Sequence, residues 1–392
     1  MDVEEFGADA LQERLAQQAI ASQAHADAAT LRERFRRAMF FRDVEAIPNF
    51  EFGYWDRTLE VWRSQGMPDW VVDEATAYRY FGIENWTMVP LHVGPNAVCE
   101  HKVLEETDDY IVYRDNLGCV AQINRDGDRS IPHFIEYPVK DRATWEQVKP
   151  ALDPEAPGRF DGLDAGVEAL QHATAPVGVP GGSLVGVPRN LIGFEHIAIL
   201  PYEDPELFQD IVDTFGRLIC AGLERALPKI QVDFCMGWED MCFNQGPVIS
   251  PDVMAQVVGP WYRRIADLLA AHGCCIYATD CDGNVTPIVD VFLDNGMNTL
   301  FPAEVHAGTD PMALRATYGK RIRIWGGVDK MVLLDSKAAI DRELERIRPA
   351  VDQGGFLPGV DHRVPADVPL DLYKHYLDRK RALFHVGGEP QY

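Results

Sequence analysis

Several short groups of residues in this chain have the types and spacing that chemistry needs. Asp280-Cys281-Asp282-Gly283 places two carboxylates around a thiol, directly after the apolar run Cys274-Cys275-Ile276-Tyr277. Glu239 and Asp240 follow the apolar stretch 231–238, and Asp361-His362 follows 354–359. Glu304 and His306 come behind 298–303, and Asp329 behind 321–327. Carboxylates and imidazoles are the groups that move protons and hold divalent ions near neutral pH. In an extended chain Cys281 alternates with its neighbours, so it points away from the two acids. A plainer reading is a polar turn, because Asp and Gly favour turns and Asp282 could cap a helix near 286. Tyr54, Trp55, Tyr202, Trp238 and Trp325 are candidate apolar walls, although aromatics at strand ends more often belong to a core.

Something must carry these groups to one place. Strand-like runs fall at about 46–53, 183–188, 231–238, 274–280, 298–304, 321–327 and 354–359. Helical runs alternate with them from 205 onward. Ser250-Pro251-Asp252 has an N-cap, a first-turn proline and a first-turn acid. Ile340, Leu344 and Ile347 repeat at helical spacing. Strands alternating with helices imply right-handed βαβ units and a parallel sheet. Seven such strands, with an eighth expected in 75–175 or near Leu200, predict a (β/α)8 TIM-type barrel of the α/β class. Chemistry in that fold sits where strands exit into loops. Every polar group named above sits at such an exit, so all would share one mouth.

Residues 1–44 read as an N-terminal helical extension, a surface helix or a dimer arm, because 10–41 lacks Pro and Gly. The barrel takes 45–392, with a β-meander insertion at about 95–175 rich in turn signals. PVGVPGGS (176–183) lacks the G-x-G-x-x-G spacing and reads as a turn.

Composition narrows the partners. The 392 residues are 46% hydrophobic, enough for a large core, and carry 37 Lys+Arg against 61 Asp+Glu, a net charge of −24. Such a chain repels nucleic-acid phosphates and anionic lipid, which leaves a small molecule as the expected partner. The start MDVEEFGADA has no apolar signal region, and no run is long enough to span a bilayer. Eight cysteines without a C-x-x-C pair fit free thiols in a reducing cytoplasm.

WEDMCFNQGPVISPDVM (238–254), DGNVTPIVDVFLDNGMNTLFPAEVHAGTD (282–310), GGVD (326–329) and GGFLPGVDHRVPADVPLDL (354–372) resemble the uroporphyrinogen decarboxylase superfamily. That superfamily contains the haem-pathway decarboxylases and the zinc- and corrinoid-linked methyltransferases. The resemblance covers most of the chain from about 45 and implies a TIM-type barrel with its cleft at the strand C-termini. The porphyrin decarboxylases carry closely spaced arginines near the N-terminus. Here NFEFGYWDRTLEVW (49–62) offers Glu51, Asp56 and the single cation Arg57, so the resemblance is closer to the methyltransferase branch.

That branch holds zinc with His-x-Cys-Gly at the strand end matching 280–283 and a further Cys near 361. Carried over, the resemblance implies a metal set of Asp280, Asp282, His362 and Glu239, suited to zinc or to another divalent ion such as manganese or iron. It implies catalytic roles for Glu239, Asp240, Asp280 and Glu304, and a substrate pocket of Tyr54, Trp238, His306 and Trp325. The implied reaction moves a methyl group between a small substrate or thiol and a corrinoid on a partner protein. Two alternatives stay open: a metal-free decarboxylase, and a barrel that binds a ligand without catalysis.

Overall fold

The computed structural model describes residues 29–55, 57–125 and 132–392. Its strands in chain order are β1 (Thr87–Met88), β2 (Lys102–Glu106), β3 (Tyr110–Arg114), β4 (Val120–Asn124), β5 (His133–Glu136), β6 (Val177–Gly182), β7 (Phe234–Trp238), β8 (Cys242–Phe243), β9 (Gly246–Pro247), β10 (Tyr277–Asp280), β11 (Thr299–Phe301), β12 (Arg323–Val328) and β13 (Phe356–Val360). Seven of them form one curled parallel sheet in the order β1-β6-β7-β10-β11-β12-β13. Helices connect its strands on the outside, giving the TIM-type architecture.

Residues 49–54 fill the space between β13 and the chain leading into β1. On one side Val360 N donates to Glu51 Oε2 at 3.0 Å and Val364 N to Gly53 O at 2.9 Å. On the other, Glu84 N donates to Asn49 O at 2.9 Å. The sequence predicts a strand at 46–53. The chain there makes bridges only at Ile47 and Tyr54, and the first regular strand is β1. Pro48 has no N–H to give a ladder, and Asn49 N donates to the Glu84 side chain instead.

A second correction concerns β6. The strand is the glycine-rich 177–182, and the expected strand at 183–188 opens the helix Gly186–Ile192. Val177 and Val179 are fully buried. A Cβ on Gly178 would lie 2.5 Å from the Met88 sulfur and from the Phe234 ring. The glycine is there because neighbouring side chains already fill that space, which turn composition conceals.

Side chains alternate across the sheet. Phe234 of β7, Ile276 just before β10, Phe301 of β11, Trp325 of β12 and Leu357 of β13 join Phe50 in a cluster inside the barrel. The Phe50, Phe234 and Phe301 rings sit 5.3, 5.6 and 5.6 Å from Trp325. Their neighbours Cys235, Tyr277, Leu300, Ile324 and Phe356 face outward into the larger core against the helices. The N-terminal end of the barrel is stoppered by the helix Leu31–Met39. Phe35 enters the inner cluster, 5.5 Å from Phe234, and Arg32 and Arg36 both pair with buried Asp233 just before β7. Thr30 and Glu33 form this helix's capping box. The rest of the expected N-terminal extension, before residue 29, lies outside the described residues.

The β2–β5 strands form a separate antiparallel sheet, as the turn-rich sequence there suggests, and the following segment is helical at Arg142–Val148 and Leu163–Leu170. Among the described residues no helix is long and apolar enough to cross a membrane.

Candidate active site

The alternation that builds the core also sorts the polar exits. On β7, Phe234, Met236 and Trp238 share the inner face. On β10, Asp280 continues the inner row of Ile276 and Ala278. In register, Asp280 lies between Trp238 of β7 and Phe301 of β11. Cys281 takes the opposite face and is buried in the outer core. A carboxyl therefore sits at the top of an aromatic-lined interior. Among the described residues no donor hydrogen-bonds to it. Burial first, then repulsion from Asp282 and Asp240, holds the Asp280 pKa well above the usual carboxylate range.

The neighbours of Asp280 come as pairs. Asp282 Oδ2 is 3.3 Å from His362 Nε2, while Asp282 Oδ1 is buried without a partner. Burial by itself would lower the His362 pKa, but the hydrogen bond and charge of Asp282 outweigh it and the net shift is upward. The His362 ring lies 5.5 Å from Trp55 and 5.8 Å from Phe52. Asp240 Oδ2 accepts from Arg189 Nη2 at 3.2 Å, and Arg189 also lies 5.6 Å over the Trp238 ring. Asp240 has a left-handed backbone, φ 28°. Burial raises its pKa, and Arg189 only partly offsets that. Glu304 accepts from Lys330 Nζ and from Gly283 N, each at 2.8 Å. Its burial acts upward, but Lys330 and Gly283 prevail and its pKa is lowered. Asp280, Asp282, Asp240, Glu304 and His362 are thus brought to one mouth.

Other expected residues are not. Glu239 follows inward Trp238 and so turns outward. Its carboxylate accepts from Leu184 N, Val185 N, Gly186 N, Ser183 Oγ and Tyr262 Oη at 2.8–3.3 Å. It caps the helix Gly186–Ile192, and its lone pairs are taken. Trp325 belongs to the core in the barrel's lower half. Tyr54 packs outside the barrel with Trp62, Phe81 and Tyr373, its hydroxyl 3.2 Å from that of Tyr373. His306 is exposed on the loop after β11. The residues that sequence reasoning passed over are Arg189, Lys330 and Phe52. Of these only Lys330, next to Asp329 at a strand exit, carried a positional signal.

The expected metal set does not fit the side chains as they stand. Glu239 is fully bonded, His362 Nε2 is turned to Asp282, and among the described residues no group of three or more His, Cys, Asp or Glu is arranged to hold an ion.

Asp361 has a different role. Fully buried, it accepts from Lys330 N at 2.9 Å and Val305 N at 2.8 Å, tying three exit loops together. Burial pushes its pKa up to about 7, against the pull of those two bonds. An acid with a higher pKa folded than unfolded binds its proton more tightly in the native state. Its stabilising contribution is therefore complete below the unfolded value, about 3.9, and is lost as pH rises through about 7. Relative to Asp361→Asn, the native chain should resist urea better at pH 5 than at pH 8. Parallel midpoints across that range would contradict this assignment.

One solved structure agrees with the architecture. The structure of a methyltransferase from Methanosarcina mazei superposes with a TM-score of 0.58 at 15% identity, covering 91% of this chain and 100% of that one. A B12-independent methionine synthase from Shewanella sp. W3-18-1, in complex with selenomethionine, matches with a TM-score of 0.34 at 12% identity, over 73% of this chain and 74% of that one. No curated protein sequence matches the chain. The family model described as uroporphyrinogen decarboxylase (URO-D) matches residues 109–383, a span that contains every polar exit of the mouth, and the chain belongs to that family.

Proposed function

We propose that this chain is an enzyme that transfers a methyl group from a small substrate, and that Asp280 is the group that meets the substrate's heteroatom. The observation that carries this reading is an inward carboxyl with no donor of its own among the described residues, whose hold on its proton is strengthened by burial and by two neighbouring acids. A methylated oxygen or nitrogen would sit against it. As the carbon–heteroatom bond breaks, the electron pair stays on the heteroatom, which takes the Asp280 proton. The methyl group passes to an acceptor nucleophile, a thiolate or a reduced corrinoid presented by a separate protein. Solvent then returns the proton to Asp280. Asp282 and His362 would fix the loop beside the substrate, and the aromatic walls would keep water from the breaking bond.

The name of the Methanosarcina mazei relative supports methyl transfer. Decarboxylation of a polycarboxylate is less well served. Among the described residues, the cations Arg189 and Lys330 at the mouth are already paired with Asp240 and Glu304, so neither is free to grip a substrate carboxylate.

The test is to offer the purified chain small methoxy and methylamino compounds with free cob(I)alamin, following methylcobalamin by absorbance and carbon dioxide from carboxylated analogues. Methylcobalamin formation that depends on protein supports the reading. Carbon dioxide release without any corrinoid would replace it with a lyase.

A further inference from the structure

We infer that the mouth takes a substrate bearing a positively charged nitrogen, a small alkylammonium, and that Asp280 is its counter-ion. This rests on the proposed methyl-transfer site and names its substrate class. The charges at the mouth pair off as Asp240 with Arg189, Glu304 with Lys330, and Asp282 with His362. One acid, Asp280, is left over. A second acceptor, Asp282 Oδ1, is buried without a partner beside it. The vacancy in this pairing is therefore for one positive charge.

The walls agree. Trp238 and Phe301 flank Asp280 in register. Phe52 lies 4.5 Å from Phe301 and bridges to His362, which packs on Trp55. Aromatic faces joined to a carboxylate are the chemistry that recognises alkylated ammonium groups, because the ring faces are negative and the methyls are apolar. An anion would meet unscreened carboxylates, and the chain's charge of −24 draws cations toward it. The reaction balances without further help. An ammonium leaves as a neutral amine, so it needs no proton from Asp280. When its N–CH3 bond breaks, the electron pair returns to nitrogen, a neutral amine leaves, and the methyl group goes to the acceptor.

The matched probes are choline and its uncharged isostere 3,3-dimethylbutan-1-ol, with methylammonium as the smallest case, titrated calorimetrically into the full chain. Choline should bind about tenfold or more tighter than the isostere. Asp280→Asn should remove that difference, and circular dichroism should verify its fold. Asp282→Asn provides a second variant, with a smaller loss for the cation. Equal affinity for choline and the isostere, or undiminished choline binding by folded Asp280→Asn, would overturn the inference. Methyl transfer from a neutral methoxy compound with no cation binding would end this inference and leave the methyl-transfer reading standing. Cation binding with no methyl transfer from any substrate would do the reverse.

Discussion

Asp280→Ala should lower methyl-transfer turnover by about 10²–10⁴-fold, the usual worth of a positioned proton donor, while leaving the fold intact. The two halves of that expectation come from the same observation. Among the described residues the Asp280 carboxyl accepts no hydrogen bond, so removing it breaks none, and it relieves repulsion with Asp282 and Asp240. Its raised pKa means that the native state disfavours its ionised form. The variant should thus match or exceed the parent in thermal stability, most clearly at high pH, where the parent must hold a buried charge. With a neutral substrate, turnover of the parent should fall as pH rises and the proton is lost, and that alkaline limb should vanish in Asp280→Asn. Full activity in either variant would remove Asp280 from the mechanism. Lost activity together with lost folding would instead mark it as structural.

The second large effect lies on the far side of the strand ends. Glu51 is buried, and its carboxylate accepts from Tyr376 Oη at 2.8 Å, Val360 N at 3.0 Å and Lys380 Nζ. Lys380 is likewise buried. Glu51→Ala strands an ammonium in the core and should cost about 3–5 kcal/mol of stability, read as a shift in the urea midpoint. The double replacement Glu51→Leu with Lys380→Met removes both charges and should recover most of that loss, because neither partner is left alone. A cost below about 1 kcal/mol for the single change would mean that water reaches Lys380. The effect should extend to the mouth, since Glu51 fastens the irregular 49–54 segment to the end of β13, immediately before Asp361 and His362.

How far the sequence carried the reading depends on which physical signal was present. The parallel strands from β7 onward were legible because each is an apolar run closed by polar residues and followed by a helix with caps. Their shared mouth followed from the fold. Strand β6 was not legible, because its glycines answer to Met88 and Phe234, far away along the chain. The segment 46–53 was misread as a regular strand because Pro48 and side-chain bonding break a ladder that composition alone allows. At the site, alternation correctly set Cys281 apart from Asp280. Applied one strand earlier, the same rule would have turned Glu239 outward from inward Trp238. Tyr54 and Trp325 failed as pocket walls for a related reason, since an aromatic residue says that it will be buried but not on which side of a strand. The partners Arg189 and Lys330 were invisible as partners, because they reach across loops to acids 51 and 26 residues away.

The helix Leu31–Met39 has a consequence for traffic. With Phe35 and Met39 seated under the inner aromatic ring, the described residues close the interior at that end and leave the strand-exit rim as its opening. Whatever enters past Trp55 and His362 must leave past them, so a spent molecule and a fresh one contend for the same passage. A macromolecular acceptor parked over that rim would shut both in until it departs.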